Sequence, residues 1–136
     1  MYYVQDNGGI SLWKDYPYHA YDDFCYAEWN GPVSVEDVYH IASYSQSQLM
    51  AAIALSPVSV TIDAEEVVFH NYTGGVISGT ACGTKLDHAV TAVGYGNDAA
   101  TGLDYYLVRN SWGSGWGDNG YVKMAREGDG YGVCGI

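Results

Sequence analysis

The sequence predicts an α+β fold dominated by antiparallel strands, with only short helices. Three observations predict it. Fourteen tyrosines, four tryptophans and eighteen glycines accompany only five basic residues, a balance that suits aromatic strands joined by tight turns. Two apolar runs, His88 to Tyr95 and Tyr105 to Asn110, flank the turn-rich loop GNDAATGL and read as a long hairpin. The stretches with a helical period are short and stop at Pro57 or before Gly74-Gly75, where the chain cannot continue a helix. With 136 residues, 48% of them hydrophobic, the chain can bury one core, or one domain and part of a second.

The elements follow in order. MYYVQDNGG reads as the last turns of a helix, closed by Asn7 or Gly8 in the left-handed conformation. That helix has no visible beginning, so the chain is expected to enter its fold part-way. From Ile10 to Pro32 neither helical nor strand period appears, and an irregular packed segment is expected. Val33 to Ile41 alternates imperfectly and predicts a first strand. Ser47 is placed to cap a helix from Gln48 to about Leu55, with Leu49, Ala52 and Ile53 on one face. Val58, Val60 and Ile62 alternate as a strand, and a second short helix runs through Glu65, Val68 and Phe69. After the hairpin, Tyr121 to Ala125 supplies a last antiparallel strand. No repeat or linker interrupts the chain, so residues 33–136 are expected to form one β-rich domain, with 1–32 at its edge or part of something else.

Charge and spacing exclude several function classes. A net charge of −11 repels nucleic acid and anionic membranes, both of which are bound through clustered lysine and arginine. No apolar run reaches the roughly 20 residues of a spanning helix, and the N-terminus shows no basic region followed by an apolar stretch. His19, His40 and His70 lack metal-ligand spacing with one another or with the cysteines, so they read as surface histidines. GSGWGDNG lacks the lysine that a phosphate loop presents. No metal or other cofactor is implied. Asn71-Tyr72-Thr73 matches an N-glycosylation acceptor.

The chemistry lies in a pair. His88 alone, in KLDHAVTAVGYG, reads as a structural histidine, and Asn110 alone, in YYLVRNSWGSGWGDNGY, as turn chemistry. If their strands are hairpin partners, both side chains meet at one rim of the sheet. A base needs its second ring nitrogen held by an acceptor that fixes tautomer and orientation, and Asn110 can supply that acceptor.

CGTKLDHAVTAVGYG, YYLVRNSWGSGWGDNGYVKMAR and YGVCGI resemble the histidine and asparagine blocks of papain-like cysteine peptidases of the papain and cathepsin L type. The likeness extends upstream through QLMAAIALSPVSVTIDA, NYTGGVI and NGGISLWKDYPYHA, and so covers essentially the whole chain. The resemblance implies the papain-like fold. Residues 33–136 would then be its antiparallel, barrel-like right domain, and 1–32 the end of the helical left domain with an irregular crossover. It also implies a peptidase in which His88 is base and acid and Asn110 orients it. Trp112 matches the indole that covers their hydrogen bond, and Trp116 an aromatic on the leaving-group side. Thr61, Leu86 and Ala89 match walls of the main specificity pocket, and Asp87 the residue whose carbonyl meets the substrate chain. Cys82 and Cys134 match a disulfide of the right domain, which implies an oxidising route and a lysosomal, vacuolar or secreted location.

The departures matter as much. The family's nucleophile opens a helix in a C-G-S-C-W context, and no such string occurs here. Cys25, in DDFCYAEWN, has no cationic neighbour in sequence to stabilise a thiolate; it matches a cysteine that bridges to an upstream partner. The chain alone is therefore expected to be inactive. A companion chain would supply the nucleophile and a partner for Cys25, or the sequence belongs to a longer protein; the substrate would be peptide or protein. The alternative is a non-catalytic, peptidase-like binding or structural component.

Overall fold

A computed structural model of the chain describes residues 1–27, 29–127 and 130–136. Two compact units are present, Met1–His40 and Ile41–Ile136.

The first unit is built around one helix, α1, Tyr2–Asp6. Of the two candidates for its left-handed closure, Gly8 is used: its φ is +73°, whereas Asn7 stays right-handed at −77°. The amides of Gly9 and Gly8 donate to the carbonyls of Val4 and Gln5 at 2.9 and 3.1 Å. This is the paired bonding by which a glycine satisfies the last orphan carbonyls of a helix. The segment before Ile41 lies along this helix, with Tyr2 Oη 2.8 Å from His40 Nε2 and Gln5 Nε2 donating to the Glu36 carbonyl at 2.6 Å. The strand expected from Val33 to Ile41 does not form. Among the described residues only Val33 is bridged, to Ile10; beyond it the Glu36 carbonyl accepts from the Gln5 side chain of α1.

The second unit is a five-stranded sheet in the order β1-β3-β4-β5-β2. Its strands are β1 Val58–Ile62, β2 Val76–Ile77, β3 His88–Asn97, β4 Asp104–Arg109 and β5 Tyr121–Ala125. The β3–β4 hairpin and β5 lie where the alternation placed them, and all of these pairings are antiparallel. β2, too short to show a period, was not foreseen and runs parallel to β5. Two short helices accompany the sheet, α2 Gln46–Ile53 and α3 Val67–His70. Ser45 rather than Ser47 caps α2, its hydroxyl accepting from the Gln48 amide. Both serines fit the composition rule, and the position is settled by Gln48, whose side chain reaches back to the Ala42 amide at 3.0 Å.

Side chains of period two fill the core from one face of the sheet. Val90 and Ala92 of β3, Tyr106 and Val108 of β4, and Val122 and Met124 of β5 are buried there, together with Phe69 of α3 and Leu49 and Ile53 of α2. Cys82 and Cys134 are bonded, with Cα atoms 4.8 Å apart, within the ordinary range. The tip of the β3–β4 hairpin is held by Asp98, which accepts from Thr101 Oγ1 at 2.8 Å and from Lys123 Nζ of β5 at 3.2 Å. The Thr101 hydrogen bond first, and then Lys123, hold the Asp98 carboxyl below its ordinary range.

Two outcomes follow for stability. The disulfide closes a loop with a sequence separation of 52, so Cys82→Ala with Cys134→Ala should cost about 4 kcal/mol by denaturant unfolding on a chain-entropy estimate. Asp98, whose folded value is depressed, contributes in full above the ordinary carboxylate value of about 3.9, and that contribution is lost as pH falls through its lower folded value. The protection factor of the Gly102 amide, which donates to the Asp98 carbonyl, should fall over that acid window. In Asp98→Asn it should lose the pH dependence.

Candidate active site

The β3–β4 hairpin brings His88 and Asn110 together. On β3, His88 shares a face with the buried Val90 and Ala92. Asn110 directly follows β4 and continues the face of Tyr106 and Val108. Both therefore point to the core side at one end of the sheet, by the two-residue period of strands. Asn110 is 6% exposed, and its own amide donates to the Gly120 carbonyl at 2.9 Å.

Asn110 Oδ1 lies 2.8 Å from His88 Nε2 and accepts the Ser111 backbone N–H at 2.7 Å. The Ser111 amide can only donate, so the atom it meets is the oxygen of the Asn110 side chain and not the nitrogen. His88 Nε2 must then carry a hydrogen to bond the same oxygen. The neutral ring therefore keeps its lone pair on Nδ1, which has no hydrogen-bond partner among the described residues. An imidazole so arranged is ready to take a proton at Nδ1 while Nε2 stays anchored. Asn110 Nδ2 is buried without a partner among the described residues.

Aromatic rings enclose the pair. Trp112 lies 5.3 Å from the His88 ring, and Phe69 meets both of them at its edge, at 5.5 and 6.3 Å. Trp116 packs on Phe69 at 4.9 Å and on Trp112 at 5.4 Å, and its Nε1 donates to the His70 carbonyl at 3.0 Å. The loop that carries both indoles folds back on itself through Gly120 N–H to the Trp116 carbonyl at 2.7 Å. It turns at Gly117, where φ is +60° and a Cβ would stand 2.7 Å from the Tyr121 carbonyl oxygen and 3.2 Å from the Tyr72 ring. Only glycine fits there.

The remaining site candidates are placed as follows. Thr61 of β1 and Ala89 of β3 are register partners with side chains on the exposed face. Leu86 is 52% exposed, beside Gly135. Asp87 is exposed, its amide donating to the Ile62 carbonyl and its carboxylate accepting from the Ala64 amide at 2.9 Å. Asp63, buried, anchors the same approach to His88 by accepting from the Lys85 amide at 2.9 Å. Asn71 is exposed at the end of α3. In the first unit Cys25 is an exposed free thiol, and its charge interaction is the main cause that raises the Tyr3 hydroxyl above its ordinary range.

On the exposed face of the hairpin, Ser59, Ala89, Thr91, Arg109 and Ser111 line a cavity of about 360 Å³ that also reaches Val90 and Asn110. Lys14, Lys85, Lys123 and Arg126 are each in an ion pair. Arg109 has neither an ion pair nor a side-chain hydrogen bond among the described residues. Among these residues no group of three His, Cys, Asp or Glu could hold a metal, and no helix is long and apolar enough to cross a membrane.

An imidazole oriented by an amide under an indole, beside an open ring nitrogen, has the chemistry to accept a proton from a neighbouring nucleophile. Comparison with known proteins names the class. The model of the papain family cysteine protease matches residues 1–136. Papaya proteinase 4 of Carica papaya is 46% identical over 139 residues, covering 100% of this chain and 39% of the relative. The senescence-specific cysteine protease SAG39 of Oryza sativa is 40% identical over 135 residues, or 98% of this chain and 39% of the relative. Among solved structures, the bromelain protease of Ananas comosus in complex with the E64 inhibitor superposes with a TM-score of 0.86 at 36% identity, covering 99% of this chain and 62% of that one. The chain belongs to the papain family of cysteine proteases, and it spans about 39% of the length of these curated relatives. The fold is the papain-like one, in its β-rich part.

His70 is exposed, as expected of a surface histidine; what the sequence did not show is that its ring lies 4.9 Å from that of Trp112. No spacing rule links positions 70 and 112, and only the closure of α3 against the loop after β4 brings them together.

Gly117→Ala is expected to destabilise the domain by about 2 kcal/mol, since it combines a left-handed alanine with backbone overlap. It should also move Trp112 and Trp116, read as a change in near-ultraviolet circular dichroism. A spectrum and stability like those of the parent would contradict the packing described for this loop.

Proposed function

We propose that this chain supplies the base half of a papain-like cysteine endopeptidase acting on peptide or protein substrates. The observation that carries the reading is the shared Asn110 oxygen, which leaves His88 Nδ1 as the open base. A cysteine thiol brought to Nδ1 passes its proton to the ring, and the thiolate adds to the scissile carbonyl carbon. The imidazolium then gives that proton to the departing amine as the carbon–nitrogen bond breaks, leaving a thioester. Water, deprotonated by His88, adds to the thioester and releases the acid and the thiol, while a donor outside this chain stabilises the oxyanion. Asn110 holds the ring through each transfer, and Trp112 keeps water from that hydrogen bond.

The thiol comes from a companion segment. Two of the three cysteines are bonded to each other and the third is exposed in the first unit, so this chain alone is inactive in our reading. The Arg109 cavity supports a docking point for that segment. In a chain of net charge −11 a guanidinium without an ion pair among the described residues, set among hydroxyl groups, suits one carboxylate, because fork geometry favours such a pair. Thr61, Leu86 and Ala89 would line the specificity pocket, and Trp116 the leaving-group side. The disulfide supports a vacuolar, lysosomal or secreted location.

Assembly with a segment carrying the C-G-S-C-W helix should restore labelling by a thiol-directed probe on that segment's cysteine. In the assembled protein, His88→Ala should lower kcat/KM by roughly a thousandfold or more, and Asn110→Ala by less, because only the orienter is lost. Arg109→Glu should weaken assembly at least about tenfold. A folded complex that neither labels nor cleaves would favour the non-catalytic, peptidase-like component. Cleavage by the chain alone, abolished by Cys25→Ser, would refute the placement of the nucleophile.

A further inference from the structure

Of the six asparagines in the chain, only Asn71 has a serine or threonine two positions on, in Asn71-Tyr72-Thr73. The triplet begins at the cap of α3 and lies between that helix and β2. Tyr72 is buried and holds the segment down, with its ring 5.9 Å from that of Trp116 and its hydroxyl donating to the Gly75 carbonyl at 2.6 Å. Asn71 and Thr73, on either side of it, are exposed. The backbone amide of Asn71 donates to the Val67 carbonyl at 3.0 Å, whereas neither the Asn71 nor the Thr73 side chain has a hydrogen-bond partner among the described residues. The packing that fixes the segment therefore leaves the side-chain amide free. Just beyond it, a Cβ at Gly74 or Gly75 would meet no atom within 4 Å, so the surface is open to a bulky group.

We propose that Asn71 is a modification site, whose side-chain nitrogen carries an N-linked oligosaccharide. The inference rests on the secretory route proposed above and is independent of the peptidase reading. An asparagine followed by a residue other than proline and then by serine or threonine is the acceptor pattern, and the bulky, hydrated product belongs on a protein surface. The donor is a lipid-linked oligosaccharide diphosphate. The bond from the sugar C1 to the diphosphate oxygen breaks, and the diphosphate leaves with the electron pair. Asn71 Nδ2 bonds to C1 and gives one proton to a base of the transferring enzyme. That transfer belongs to the oxidising secretory route in which disulfides form, and the bridge between Cys82 and Cys134 calls for the same route. The attached sugar also has a surface to lie on. Val67 stands four residues before Asn71, on the same side of the helical turn, and is 69% exposed. Helical side chains lean toward the N-terminus, so a sugar on Asn71 lies over this valine and shields it from water.

The test uses the native protein and, for variants, the 136-residue chain directed into the secretory route of a eukaryotic cell. A peptide N-glycosidase acting in heavy-oxygen water converts a glycosylated asparagine to a labelled aspartate, which mass spectrometry locates in the chain. Asn71 should be labelled in the greater part of the native molecules and of the secreted chain. Thr73→Ala should abolish the label, Thr73→Ser should keep it, and Asn71→Gln removes the acceptor itself. Both side chains are exposed, so Asn71→Gln and Thr73→Ala should retain the bridge between Cys82 and Cys134. Native protein with that bridge intact and Asn71 unlabelled overturns the proposal and leaves the secretory route standing. Native protein with Asn71 unlabelled and with free thiols at Cys82 and Cys134 overturns both. Label that persists in Thr73→Ala reports spontaneous deamidation instead of a glycan, and overturns the proposal as well.

Discussion

Asn110 Oδ1 receives two hydrogens, one from the Ser111 amide at 2.7 Å and one from the His88 ring at 2.8 Å, and the organisation of the site depends on this one oxygen. The backbone hydrogen fixes which end of the amide faces the ring, the amide then fixes the tautomer, and the tautomer decides which nitrogen is free for chemistry. Each step is forced by donor and acceptor identity. Burial strengthens the arrangement, because Asn110 is 6% exposed and its Oδ1, without these two donors, would have little water to replace them. The loop of residues 111–119, with Gly117 in a conformation that other residues resist, holds Ser111 and Trp112 in place for that oxygen.

The hairpin works on both faces. Its inner face continues from the core, through Val90, Ala92, Tyr106 and Val108, directly into His88 and Asn110, so the packing that stabilises the domain also sets the geometry of the pair. The outer face of the sheet carries Ala89 of β3 in register with Thr61 of β1, and the cavity lined by Arg109, which has no ion pair among the described residues. A shift of one residue in the pairing of β3 with β4 would exchange these faces. The chemistry therefore depends on register, which the bulge between Ala92 and Gly94 also shapes.

Where local chemistry decides, the sequence was legible. The alternation of Val58, Val60 and Ile62, the hairpin runs and the Gly8 closure all follow from short-range rules, and the spacing of His88 and Asn110 on hairpin partners carried the site. Long-range pairing was less legible. Val33 to Ile41 has the residues of a strand, but beyond the bridge of Val33 to Ile10 it finds no strand partner among the described residues, and its Glu36 carbonyl bonds to the Gln5 side chain of α1. β2 has two residues, too few to show a period. Ser45 and Ser47 are equivalent to a capping rule, and only the reach of Gln48 separates them. The contact of His70 with Trp112 crosses two elements and has no local signature, whereas the family resemblance reached Trp112 and Trp116 because they lie beside Asn110 in the chain.

The central claim is that His88 holds its hydrogen on Nε2 and offers Nδ1 as the base. The most direct measurement is a long-range proton–nitrogen correlation spectrum of the His88 ring in the neutral imidazole, with the assignment checked in Asn110→Ala. The account requires a protonated Nε2 and an unprotonated Nδ1, with that preference weakened when Asn110 is removed. A ring that carries its hydrogen on Nδ1, or one indifferent to the loss of Asn110, would contradict it.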